Sequence, residues 1–139
     1  MLLVHPGGPF WQRKDAGAWS IPKGEIAAGE EPLQVARREF REELGHAVPE
    51  GTPEALGSVR QAGGKLVHVW ALGGDLDPAV ITSNTFELEW PPRSGRIQTF
   101  AEVDRAGWFD LEAARERLLA SQVPFLDRLA RVLDSSPPG

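Results

Sequence analysis

The segment formed by residues 31–44 constrains the fold of this chain most strongly, because it carries every signal of a helix. Pro32 stands near its first turn, where the missing N–H of a proline costs little. Gly45 follows its last turn, where helices commonly end on glycine. The apolar residues recur at helical spacing and predict a buried stripe, made of Leu33, Ala36, Phe40 and Leu44.

Three glutamates, Glu39, Glu42 and Glu43, follow one another at i, i+3 and i+4, so their side chains converge. We expect them opposite the apolar stripe, with Arg38 and Arg41 beside them to hold a carboxylate in place. Such carboxylates repel one another unless a cation neutralises them, and Mg²⁺ and Mn²⁺ prefer hard oxygen ligands. By itself the pattern also fits a solvated acidic face on a surface helix, so both interpretations stay open at this point.

The loop before the helix begins at Pro22-Lys23-Gly24 and runs straight into the helix N-terminus. Backbone N–H groups and the helix dipole favour a phosphate there. Lys23 is placed to contact a polyphosphate, although a solvated loop lysine is an equal alternative.

The rest of the chain predicts a single α+β domain over residues 1–134. Short runs of extended or alternating character predict strands, and two amphipathic segments near the end predict helices. The predicted strands are 1–5, 55–61, 65–72, 85–90 and 106–109, and residues 18–21 and 97–100 are expected to be short extended pieces. The further helices are 111–120 and 124–133, and 135–139 is a disordered tail.

Composition excludes several classes of protein. The chain has 139 residues and no cysteine, which excludes disulfides, thiolate zinc sites and a cysteine nucleophile. Its net charge of −5 argues against a nucleic-acid partner, because a phosphate backbone repels an acidic surface. No apolar run is long enough to cross a bilayer. We therefore expect a cytoplasmic protein, monomeric or homodimeric, that binds no membrane.

The residues around the glutamates carry a family resemblance. Gly24 is followed after five residues by Glu30, and after seven more by Arg38-Glu39-Phe40-Arg41-Glu42-Glu43-Leu44-Gly45. This spacing resembles the box of the Nudix hydrolases at every charged and glycine position. The last apolar position of the box is occupied by His46 instead.

The resemblance implies roles for these residues. Glu42 and Glu43 are expected as the principal metal ligands, with Glu39 as a further ligand and the carbonyl of Gly24 near the metal. Arg38 is expected to pair with a glutamate of the box, and Glu30 to brace the loop. The candidates for the general base and a further metal ligand are Glu87, Glu89 and Glu102. Glu102 is favoured, because related proteins place such a residue shortly before a strand with tryptophan, the alternative being a solvent-exposed acid in a loop. Glu87 and Glu89 are expected to face water on their strand.

The resemblance also implies a mixed β-sheet between helices (α/β/α). The strand that normally precedes residues 2–4 is expected to be missing, the alternative being a domain that starts on an edge strand. The implied reaction is metal-dependent hydrolysis of a phosphoanhydride in a nucleoside diphosphate linked to another group, such as a nucleoside triphosphate or dinucleoside polyphosphate. The alternative is a Nudix-fold domain that senses a nucleotide without cleaving it. Basic residues predicted to contact the small-molecule substrate are Lys23, Arg60, Lys65 and Arg96.

Overall fold

The computed structural model describes residues 1–22, 29–60 and 66–135. Six strands, three α-helices and one short 3-10 helix (Ala120–Gln122) follow one another in these ranges, and the strands and α-helices reproduce the predicted order with small shifts at the ends. The strands are β1 (Leu2–Pro6), β2 (Glu54–Arg60), β3 (Leu66–Ala71), β4 (Thr85–Glu89), β5 (Ile97–Ala101) and β6 (Val103–Trp108), and the helices are α1 (Pro32–Leu44), α2 (Leu111–Arg117) and α3 (Pro124–Ser135).

Helix α1 begins one residue later than predicted, because Glu31 caps it instead of joining it. The backbone of Glu31 is extended, and its carboxylate accepts hydrogen bonds from the N–H groups of Leu33 and Gln34 at 3.2 and 3.0 Å. At the other end Gly45 has a φ of 69°, and its N–H donates to the carbonyl of Arg41 at 2.8 Å. Both ends of the helix are therefore fixed by local contacts that the sequence encodes.

The strands form three antiparallel pairs, β1 with β6, β2 with β3 and β4 with β5. Residues 18–21, predicted as a short extended piece, make two isolated bridges, from Ser20 to Val4 and from Trp19 to Leu118. The bridge of Trp19 is the parallel one. The α+β class is confirmed. In the described ranges the expected mixed sheet is represented by the three antiparallel pairs and by these two bridges.

Two apolar clusters hold the elements together. The larger one contains Leu3, Trp19, Phe125 and Leu126 and joins β1 to α3. The smaller one contains Val4, Leu44 and Val103 and joins β1 and β6 to α1. Because neighbouring residues of a strand face opposite ways, β1 contributes to both clusters and lies between them.

The hairpin of β4 and β5 extends from the body of the protein beside residues 7–14. Gly7 lies so close to it that a Cβ at this position would stand 1.9 Å from the carbonyl oxygen of Ala101. Only glycine permits this approach, which fixes the base of the hairpin against β1. None of the described helices has the length and apolar character to span a membrane.

Candidate active site

Helix α1 turns its glutamates toward the protein, which corrects the expectation that they lie opposite the buried stripe. The exposed face carries Gln34, Arg37 and Arg41. At about 100° per residue, Glu39 and Glu43 lie on the other side of the helix. The side chain of Glu39 is accordingly only 17% exposed.

The predicted apolar stripe is also shifted around the helix. Val35 is 3% exposed and belongs to the buried set, although the pattern left it out. Leu33, Ala36 and Phe40 are half-buried, and Leu44 is fully buried. The physical reason is that α1 contacts the protein over a wide arc, so carboxylates and apolar side chains share its inner side.

Arg38 lies among three carboxylates. Its Nη1 donates to Glu30 Oε2 at 2.6 Å. Its Nη2 lies 3.8 Å from Glu39 Oε1, and its Nε lies 3.9 Å from Glu42 Oε1. Contact with these carboxylates, above all with Glu30, raises the pKa of Arg38. The guanidinium is therefore placed to orient the acidic cluster of Glu30, Glu39 and Glu42.

The pKa of Glu39 is raised above its ordinary value of 4.5. Burial is the largest cause, followed by the charge of Glu42, while Arg38 acts in the opposite direction. The carboxylates of Glu102 and Glu30 raise the pKa further. Glu39 is thus a carboxylate removed from water among other carboxylates, an arrangement in which a bound cation is favourable.

A chain of backbone hydrogen bonds fixes Glu102 beside α1. The N–H of Asn84 donates to the carbonyl of Glu42, and the N–H of Glu102 donates to the carbonyl of Asn84, each at 2.8 Å. The N–H of Gly7 donates to the carbonyl of Glu102 at 2.9 Å. Glu42 and Glu102, which are 60 positions apart in the sequence, are therefore joined through the backbone of Asn84. Asn84 was not singled out in the sequence, where backbone contacts of this kind leave no signal.

The donor set fits a hard divalent cation, since Glu39, Glu42, Glu43 and Glu102 all offer carboxylate oxygens. The raised pKa of Glu39 supports this fit, because its negative charge is incompletely neutralised. Across the described ranges, no three acidic or histidine side chains stand close enough together to hold a metal ion. Arg38 faces Glu39 and Glu42 in this arrangement, so ligation by them would require their carboxylates to rotate away from the guanidinium.

The other predicted site residues lie apart. Lys23, Gly24 and Lys65 lie outside the described residues. Arg60 ends β2 and is exposed, and Arg96 immediately precedes β5 at the far end of its hairpin. Glu87 and Glu89 are exposed on β4 and alternate with the half-buried Phe86 and Leu88, as predicted for residues that face water.

Known proteins resemble the chain in sequence over parts of their length. An octanoyltransferase of Myxococcus xanthus is 34% identical over 102 residues, which are 73% of this chain and 25% of that protein. An RNA pyrophosphohydrolase of Francisella tularensis is 49% identical over 46 residues, which are 32% of this chain and 30% of that protein. The chain thus matches about a quarter to a third of the length of these curated relatives.

Solved structures resemble it over most of its length. A C. elegans Ap4A hydrolase in a binary complex superposes with a TM-score of 0.64 at 21% identity, covering 97% of this chain and 87% of that one. The E. coli ORF135 protein superposes with a TM-score of 0.59 at 25% identity, covering 99% and 84%. The profile of the NUDIX domain matches residues 1–129. The fold and the sequence agree, and the chain belongs to the NUDIX domain family.

Proposed function

We propose that this protein hydrolyses a phosphoanhydride bond in a nucleoside diphosphate linked to another group, with Mg²⁺ or Mn²⁺ as cofactor. The observation that carries the proposal is the inward position of Glu39, which is 17% exposed and whose pKa is raised by burial, by Glu42 and by Glu102. A solvated acidic face would leave these carboxylates in water. Their partial burial has a cost that a bound metal cation would offset.

Glu39, Glu42 and Glu43 would hold the metal, with Glu102 and the carbonyl of Gly24 as further ligands. When bound, the metal supplies positive charge to the phosphate oxygens and lowers the pKa of a coordinated water. Arg38 keeps the carboxylates of Glu30, Glu39 and Glu42 in position.

Glu102 is the general base of the proposal. It takes the proton of the attacking water as the new P–O bond forms and the anhydride P–O bond breaks, and the electron pair of that bond leaves with the departing phosphate. Its support is its fixed position, since the backbone of Asn84 links it to Glu42.

The relatives narrow the substrates worth testing. One is named an RNA pyrophosphohydrolase and one an Ap4A hydrolase. These names lead us to include dinucleoside polyphosphates among the proposed substrates and, against the expectation drawn from the net charge, also 5′-triphosphorylated RNA. Lys23, Arg60, Lys65 and Arg96 are proposed to contact these anions, and the cytoplasm is the proposed location.

The test is a hydrolysis screen with Mg²⁺ and with Mn²⁺ over nucleoside triphosphates, dinucleoside polyphosphates, nucleotide sugars and 5′-triphosphorylated RNA. Phosphate or pyrophosphate release is measured for the wild type and for Glu43→Gln. We expect cleavage that EDTA abolishes and that falls by a factor of about 100 or more in the variant. Circular dichroism verifies that the Glu43→Gln variant is folded.

Cleavage of none of these compounds, together with nucleotide binding by calorimetry, would support a nucleotide sensor instead. Hydrolysis at the wild-type rate by Glu43→Gln would remove Glu43 from the metal site.

A further inference from the structure

Aromatic and cationic side chains meet at the outer end of the β4–β5 hairpin. The ring of Phe10 lies edge-on to the ring of Trp90, with 5.2 Å between their centroids and 78° between their planes. Phe10 is 59% exposed although it is apolar. Arg93 and Arg96 follow in the connection between the strands and are also exposed. We call these four residues, Phe10, Trp90, Arg93 and Arg96, the hairpin tip.

The tip is held in shape by its neighbours. The N–H of Trp90 donates to the carbonyl of Arg96 at 2.9 Å, and the N–H of Ser94 donates to the carbonyl of Pro91 at 3.1 Å. Arg93 adopts a φ of 61°, which non-glycine residues rarely do. The connection is therefore a closed turn that presents its two arginines in fixed backbone positions.

Residues 8–10 lie along the same face of the hairpin and bring Phe10 to Trp90. A Cβ on Gly8 would stand 2.9 Å from the end of the Phe86 ring. Phe86 and Trp90 share this face, because side chains alternate along a strand. Two contacts thus fix the position of Phe10. Gly8 lies against Phe86 near the base of the hairpin, and the Phe10 ring itself lies against Trp90 at the outer end.

The charge of the tip is unbalanced. Among the described residues, Arg93 and Arg96 take part in no ion pair. Glu87 and Glu89, the nearest acids along the strand, point to the opposite face from Trp90. On a chain whose net charge is −5, the exposed Phe10 ring, the half-buried Trp90 ring and two guanidiniums without an ion pair among the described residues are complementary to an aromatic anion.

The tip lies at the outer end of the hairpin, and the base of the hairpin is hydrogen-bonded to the helix that carries Glu39 and Glu42. Asn84 and Glu102 stand at the base of the hairpin, where they connect to Glu42. The five residues of β5 separate Glu102 from the tip by roughly 17 Å, at about 3.4 Å per residue. A ligand whose phosphates lie at the cluster reaches the tip only if it continues well beyond them.

We infer that the hairpin tip binds a second nucleotide unit of the substrate, with its base against Phe10 and Trp90 and its phosphate at Arg93 and Arg96. The inference rests on the proposed function, since the first unit would be bound at Glu39, Glu42 and Glu102. The second unit comes from the far half of a dinucleoside polyphosphate or from a following nucleotide of a 5′-triphosphorylated oligonucleotide. A nucleoside triphosphate lacks it.

The first experiment measures binding without hydrolysis. Indole N–H resonances of ¹⁵N-labelled protein are followed while adenosine monophosphate is added, and Trp90 is assigned with a Trp90→Phe variant. We expect the Trp90 resonance to shift, and the shift to be lost in Arg93→Asn. Asparagine tolerates the positive φ of this position, so the turn keeps its shape. A Trp90 resonance that does not move overturns the inference, whatever hydrolysis shows.

The second experiment compares steady-state hydrolysis of a nucleoside triphosphate, a dinucleoside tetraphosphate and a 5′-triphosphorylated tetranucleotide. We expect the KM of at least one long substrate to rise about tenfold in Phe10→Ala and in Arg93→Asn, with kcat near the wild-type value. The long substrate that responds identifies the source of the second nucleotide. The KM of the nucleoside triphosphate should stay the same.

Arg131→Gln is the matched control, because it removes an exposed arginine on α3. Unchanged KM values for both long substrates in both tip variants overturn the role of the tip. If no compound is hydrolysed but Trp90 shifts as expected, the proposed function fails and the nucleotide site at the tip stands.

Discussion

Arg38 donates a hydrogen bond of 2.6 Å to Glu30, which lies eight positions earlier and outside helix α1. The same guanidinium stands 3.8 Å from Glu39 and 3.9 Å from Glu42. One cation thus connects the segment before the helix to two carboxylates on the helix. Its contribution is orientation more than stability, since the side chain is 43% exposed and surface ion pairs contribute little to folding.

Replacing Arg38 by alanine should lower kcat by a factor of about 10 to 100, which is typical for residues that orient metal ligands. The affinity for Mn²⁺, measured by titration, should fall as well. The melting temperature should change little. Arg37→Ala is the control, because Arg37 lies on the exposed face of the same helix. Equal kcat values in the two variants would show that Arg38 does not position the cluster.

Glu39→Gln should stabilise the metal-free protein at neutral pH while it weakens metal binding. The pKa of Glu39 is raised in the fold above its ordinary value of 4.5, mainly by burial. The folded state therefore binds this proton more tightly than the unfolded state does, and stability falls as the pH rises from about 4.5 through the folded pKa. Glutamine carries no charge at any of these pH values, so the variant does not lose stability in this way as the pH rises.

Thermal melts in EDTA at pH 4 and pH 7.5 measure the effect. The melting temperature of the variant should exceed that of the wild type by roughly 2 to 5 °C at pH 7.5, and the difference should shrink at pH 4. Added Mn²⁺ should raise the wild-type value more than that of the variant. Glu116→Gln on exposed α2 controls for the loss of a carboxylate. A variant less stable than the wild type at pH 7.5 would contradict the burial of this charge.

Ser83 offers a way to test how the hairpin base is held. Its Oγ accepts a hydrogen bond of 2.9 Å from the N–H of Val103, a residue 4% exposed, and donates to the carbonyl of Asn84 at 2.7 Å. Ser83→Ala leaves the N–H of Val103 without this acceptor, which should cost about 1 to 2 kcal/mol of folding free energy in urea unfolding.

The same change should lower kcat, because Asn84 connects Glu42 to Glu102. Ser83→Thr keeps the hydroxyl and serves as the conservative control. If the alanine variant loses stability but keeps kcat, the position of Glu102 does not depend on this hydroxyl.

The sequence predicted helix α1 and most strands because their signals are local. Pro32, Gly45 and the spacing of apolar residues mark the helix through contacts within a few positions. The prediction that the glutamates of α1 lie opposite its buried stripe was wrong, because a helix that contacts the protein over a wide arc has no single buried stripe. Val35, at 3% exposure, shows how broad that arc is.

The contacts that other parts of the chain make with the glutamates of α1 were harder to predict from the sequence. The motif predicted which carboxylates belong together, and it favoured Glu102 on a resemblance. The path that connects Glu102 to Glu42 runs through backbone atoms of Asn84, and backbone atoms are the same for every residue type. The contact of Phe10 with Trp90 joins residues 80 positions apart, and no pattern in either segment encodes it.

His5→Leu should unfold the protein more easily and release the segment that carries Phe10. His5 is fully buried, its Nδ1 lies 2.8 Å from Asp104 Oδ1, and its Nε2 lies 2.6 Å from the carbonyl of Lys14. Leucine fills the space but removes both hydrogen bonds and leaves the carbonyl of Lys14 without this partner, so urea unfolding should show a loss of about 1 to 3 kcal/mol. Trypsin should then cut after Lys14 at low urea faster than in the wild type, because the segment has lost its tether. His68→Leu, at an exposed position of β3, is the control for both measurements. A wild-type rate of cleavage after Lys14 would mean that other contacts, such as that of Phe10 with Trp90, suffice to hold the segment.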